Sequence, residues 1–179
     1  MIKQGGLHAD TPENVYWQRI ETKHTIISYQ SPEDLEKSAK KIVCYSPEKS
    51  WFKQVFSLSG SDARKNMLKK VDFIFERTQK LLGMKKDMSK LTIKIFPNRE
   101  KLDAAYQEIY KRLNTFQLKA WYIHEYNTIY LNANDLNEGM LAHEMAHAII
   151  DNYLGFKPPK ATGEILARYV DVKACDLLR

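Results

Sequence analysis

His143 and His147, with Glu144 beside the first of them, are the residues of this chain whose types and spacing best suit chemistry. Residues four apart on an α-helix differ by about 40° of rotation and about 6 Å of rise, so imidazoles at that spacing aim at one point. Two converging imidazoles make a bidentate metal site, and the His143-Glu144-Met145-Ala146-His147 pattern is that of a zinc-binding helix. Glu144 falls on the neighbouring flank, where a carboxylate can take a proton from water acidified by the ion without competing for the ion itself. Two histidines and a glutamate also share helices for no chemical reason. Here, however, Met140, Leu141, Ala142, Met145, Ala146, Ala148, Ile149 and Ile150 surround them, so the helix is expected to be largely buried. Burying imidazoles and a carboxylate without partners is costly, and a metal ion would satisfy them.

A catalytic site of this type takes a third protein ligand and keeps a position open for water. No histidine follows His147, and the acids downstream are Asp151, Glu164, Asp171 and Asp176. Asp151 lies one turn past His147 on the same face, better placed to orient a ligand than to bind the same ion. Glu164 is therefore the expected third ligand. Gly155 suits a helix C-cap, and Pro158 and Pro159 cannot extend that helix. Thr162 is then expected to cap a second helix over residues 163–178, with Glu164 in its first turn and able to fold back onto the histidines. A glutamate also favours a helix N-terminus on electrostatic grounds alone.

Taken together, His143, Glu144, His147 and Glu164 resemble the ligand-and-base set of gluzincin metallopeptidases, the thermolysin-like group with two histidines and a downstream glutamate. The likeness continues through residues 147–155, where thermolysin-type sequences also carry an aspartate one turn after the second histidine. Residues 163–169 are similar to the glutamate-bearing helix of the wider peptidase group. The chain departs from thermolysin at Arg168, where that enzyme has an aspartate supporting the first histidine. Support is then expected from Asp151 or Asp171, and such partners commonly matter about 10- to 100-fold; a solvated acid or a salt bridge with Arg168 is the plainer reading of both. The resemblance implies a zincin-like catalytic domain with one zinc ion on His143, His147 and Glu164. It also implies Glu144 as general base and a peptide or protein as substrate. In thermolysin-like enzymes a histidine or tyrosine from a C-terminal subdomain stabilises the reaction intermediate. Only 15 of the 179 residues follow Glu164, so a reduced C-terminal subdomain is expected, with Tyr122, His124, Tyr153 and Tyr169 as candidate donors.

The elements that must position these residues are legible upstream. Residues 120–124 and 128–132 are β-branched and aromatic runs around Glu125-Tyr126-Asn127, which reads as a hairpin. The second run leads to the histidine helix, and Asp135 and Glu138 have the three-residue spacing of a capping box for it. The resemblance implies that the strand preceding that helix lies at the sheet edge, where unpaired N–H and C=O groups take up an extended peptide; a plain structural hairpin is the other reading. Residues 25–29 and 91–96 read as strands. Helices are expected over residues 32–43 (begun by Ser31 and Pro32), 62–82 (ended by Gly83) and 98–112 (capped by Asn98). Mixed strands and helices closing on two ligand-bearing helices predict an α+β fold. Residues 1–20 are expected to be loosely ordered and 21–179 to form one domain without repeats.

Composition narrows the partners. Lys and Arg number 28 against 22 Asp and Glu, and the pI is about 9.1. The lysines are dispersed along amphipathic helices, which favours a solvated face over a nucleic-acid surface, and no zinc-ribbon, helix-turn-helix or phosphate-loop motif is visible. No stretch is long and apolar enough to span a membrane, and Met1–Asp10 carries no signal-peptide core. A soluble domain is expected; exported relatives are common, and Cys44 and Cys175 fix neither a disulfide nor a compartment. Beside the peptidase, two other readings stay open. One is a zinc-bound but catalytically weak peptide-binding domain. The other is a regulatory protein of the same motif, against which the lack of a DNA-binding motif counts.

Overall fold

Among the described residues five strands carry the sheet: β1 (Gln18–Glu21), β2 (Thr25–Tyr29), β3 (Leu91–Phe96), β4 (Ala120–Ile123) and β5 (Thr128–Asn132), in the spatial order β1-β2-β3-β5-β4. The computed structural model describes residues 16–43, 63–111 and 118–175. Cys44, Asp62, Arg112 and Asp176 lie outside them, as does most of the stretch 1–20. The inner pairs β2–β3 and β3–β5 are parallel and the outer pairs β1–β2 and β4–β5 antiparallel, so the sheet is mixed. Period-two alternation sorts its side chains. Ile27, Ile93, Ile95, Ile129 and Leu131 face the main core, whereas Phe96, Trp121, Ile123 and Tyr130 face a smaller cluster.

Among the described residues five helices cover these faces: α1 (Pro32–Lys41), α2 (Ala63–Leu82), α3 (Arg99–Tyr110), α4 (Glu138–Leu154) and α5 (Lys160–Cys175). Leu102 of α3 packs into the smaller cluster, where the Trp121 and Tyr130 rings stack at 5.1 Å across a register pair. Residues from α1, α2, α4 and α5 close the main core. Each fully buried Ile or Leu there contributes about 1.5–3 kcal/mol. Strands and helices are mixed in an α+β arrangement, as expected, and the predicted β2 and β3 occur at their expected residues. Ser31 and Asp34 close a capping box on α1, Asn98 caps α3, and Gly83 and Gly155 take positive φ after α2 and α4.

Several boundaries differ from expectation, each for a local reason. β1 begins inside the stretch 1–20, and with Ile20 its single buried residue it carries too little periodicity to read in sequence. The hairpin's first strand stops at Ile123. His124 belongs to a 3-10 turn closed by Asn127 at φ 43°, whose N–H donates to the His124 carbonyl at 3.0 Å. The strand leading to the histidine helix, β5, is interior, and β4 forms the edge. Asn137, not an Asp135–Glu138 box, caps α4 by accepting from the Met140 N–H at 2.9 Å. Asp135 is instead taken by Arg99 at 2.9 Å and Asn132 at 2.7 Å. Finally, α5 starts at Lys160 rather than 163. The Pro159 carbonyl accepts from both Thr162 and Gly163, which puts Thr162 inside the helix.

Candidate metal centre

Eight of the 17 residues of α4 are apolar and buried, and that sets its polar stripe apart. Leu141, Ala142, Met145, Ala146, Ala148, Ile149 and Ile150 are sealed into the fold. His143, Glu144, His147 and Asp151 share the remaining arc, with the histidines half-buried. The two Nε2 atoms stand 3.3 Å apart, their rings at 74°. From α5, Glu164 reaches both: Oε2 lies 3.7 Å from His143 Nε2 and Oε1 lies 3.6 Å from His147 Nε2.

These separations can be tested against an ion. Tetrahedral bonds of about 2.0–2.2 Å hold neighbouring ligand atoms about 3.3–3.6 Å apart. The three groups, whose ligand atoms all lie within 4.8 Å of one another, fit that requirement. The donor chemistry fits too. Burial first, then His143, lowers the His147 pKa against the opposing pull of Glu164, so the imidazole is held neutral, the form that ligates. Two histidine nitrogens and one carboxylate are a donor set that divalent transition ions, zinc and iron among them, accept.

Glu144 does not join this triangle. Its carboxyl is set deep, and burial, then the Glu164 carboxylate, pushes its pKa up to about 8, against the pull of the Tyr122 backbone N–H. Tyr122 sits on the edge strand. Antiparallel pairing turns every second residue's N–H and C=O away from the partner strand, and the Tyr122 amide turns toward Glu144.

A cleft of about 700 Å³ joins these groups, with β4 on one wall, α4 beneath, and Lys157, Pro158 and the first turn of α5 opposite. Gly163 makes room there: a β-carbon on it would meet His147 Nδ1 at 3.6 Å and Pro158 at 3.9 Å. The sequence reading missed Lys157, Lys160 and the role of Gly163. Their only signal was proximity to Glu164 along the chain.

The remaining expected residues lie as follows. Asp151 is buried, and its Oδ2 is 3.3 Å from Nδ1 of His124 rather than directed at a ligand. Tyr122 lines the cleft but its hydroxyl donates to Asn127 at 3.4 Å, and burial raises its pKa. Tyr153 and Tyr169 are exposed, and neither they nor Asp171 line the cleft. The structure thus brings together His143, Glu144, His147 and Glu164, with Tyr122 of the four candidate donors lining the same cleft and His124, Tyr153 and Tyr169 outside it. Comparison of the chain with models of protein families, with curated proteins and with solved structures finds no match in any of the three.

Proposed function

We propose that the chain is a zinc-dependent peptidase, a zincin-like domain in which His143, His147 and Glu164 hold the ion and Glu144 is the general base. The observation that carries this reading is the reach of Glu164 to both Nε2 atoms with the Glu144 carboxyl set beside them. When bound, the ion supplies Lewis acidity toward water and toward a carbonyl oxygen. Everything else falls to the chain. The outward backbone groups of β4 other than the Tyr122 N–H, which Glu144 takes, hold an extended peptide in the cleft by backbone pairing. Glu144 takes the proton of the attacking water and delivers it to the departing amine, so one water and one peptide bond become a carboxylate and an amine.

A second reading is favoured by one observation. Of the candidate donors Tyr122 lines the cleft but gives its hydroxyl to Asn127, His124 is engaged with Asp151, and Tyr153 and Tyr169 stand outside the cleft. This describes a zinc-bound domain that holds peptides without cutting them. Zinc content and peptide hydrolysis, measured for the wild type and for Glu144→Gln, separate the two. Activity lost with zinc retained supports the peptidase. A zinc-loaded wild type inert on broad peptide libraries supports the binding domain, and a protein that takes up no zinc overturns both.

A further inference from the structure

The charged groups lining the cleft are unequally committed. Glu164 is turned to the two histidines, and Asp151 is buried against His124 at 3.3 Å. Glu144 faces the Tyr122 amide. Lys157 and Lys160, on the opposite wall, form no ion pair or hydrogen bond among the described residues, and both are exposed. Lys157 is nevertheless held near the site. Pro158, the next residue, lies beside Gly163 and His147, and the Lys157 charge acts on both His147 and Asp151. Pro158 also restricts the backbone of Lys157 to extended conformations, so the ammonium is presented from a stiffened stretch.

Resting on the peptide-cleft reading above, we propose that Lys157 and Lys160 form a carboxylate-reading subsite, so that the preferred ligand is a peptide with a carboxylate on the α5 side of the metal centre. The physical basis is charge-assisted hydrogen bonding, which is about twice as strong as neutral pairing, from two ammonium groups that no carboxylate among the described residues holds in an ion pair or hydrogen bond. That carboxylate comes either from an acidic side chain or from the peptide's own C-terminus.

Binding to zinc-loaded Glu144→Gln, which does not depend on turnover, tests this. The probes are matched peptides differing only as Glu against Gln along the sequence, and as C-terminal acid against amide. Tighter binding of the acid form by about 10-fold is expected, and whichever pair carries the difference identifies the source. The preference should fall toward unity in a Lys157→Ala/Lys160→Ala background and turn toward basic peptides in Lys157→Glu. Equal affinity for acid and neutral forms, or a preference that survives the double replacement, overturns the subsite. Carboxylate-selective binding by a zinc-loaded wild type that hydrolyses nothing sinks the peptidase reading and keeps the subsite, whereas absence of peptide binding sinks both.

Discussion

Gly163 lies against the imidazole of His147: a β-carbon there would stand 3.6 Å from Nδ1, an ordinary van der Waals contact, and 3.8 Å from Cε1. Room for a methyl group is present, with the His147 ring and Pro158 already in contact with it. Alanine is favoured over glycine within a helix by about 1 kcal/mol, so Gly163→Ala should raise Tm by about 2–4 °C with metal affinity little changed. Gly163→Leu should press on the ring and weaken metal binding at least ~10-fold, as disturbance of a ligand's setting commonly does. Thermal melts and chelator competition check both, and wild-type affinity in the leucine variant would refute the contact.

Glu164 is the one carboxylate within reach of both histidines among the described residues. Outer-shell partners of metal ligands matter about 10- to 100-fold, so losing a ligand itself should cost at least ~100-fold. Glu164→Ala should therefore lose zinc in competition with a chelator while its metal-free circular dichroism matches the wild type. Retention of near-native affinity would remove Glu164 from the ligand set.

The raised pKa of Glu144 gives the metal-free protein a definite pH signature. Its folded value of about 8 exceeds the ordinary 4.5, because burial and then Glu164 disfavour the charge. The folded state then holds a proton that the unfolded chain has released. Stability from this group is complete below pH 4.5, declines as pH rises, and is gone above about 8. Glu144→Gln has no such decline. Its metal-free Tm should draw ahead of the wild type across that window by about 5 °C; parallel curves would contradict the buried carboxyl.

Asp135 carries a signature of the opposite sign. Burial alone would raise its pKa, but the Arg99 guanidinium and the Asn132 amide outweigh it and hold the carboxyl below its ordinary 3.8. The stability it contributes is present above 3.8 and lost as pH falls through the lower folded value. With both partners partly exposed, Asp135→Ala should cost only about 1 kcal/mol at neutral pH. Denaturant titrations should show the gap closing in acid; a gap unchanged at pH 3 would assign the loss to something other than charge.

What the sequence disclosed and what it withheld follow from the range of each interaction. Strong local signals were legible: the Ser31-Pro32 start, the Asn98 cap, the glycine stops, and the alternation of Leu91–Phe96. The i, i+4 histidines were legible because one helix sets their relation. Contacts between elements were not. Asp135 fits a capping box by spacing, yet Arg99 on a distant helix claims it. Asp151 fits a ligand-orienting role by helical phase, yet the β4–β5 turn supplies His124. Thr162 fits a cap, yet a proline carbonyl one turn earlier already receives its N–H. Lys157 and Lys160 carry no pattern at all until the fold sets them across the cleft from β4.

The closeness of His147 and Glu164 has a thermodynamic consequence. An ion held by both would bind the folded pair of helices and not the unfolded chain, so it would favour the docked arrangement of α4 and α5 by mass action. At a free concentration of about 100 times its Kd, it would add about 2.7 kcal/mol. The metal would then act as a staple for the terminal helix pair, and the wall bearing Lys157 and Pro158 would owe its position to the same atom that the histidines hold.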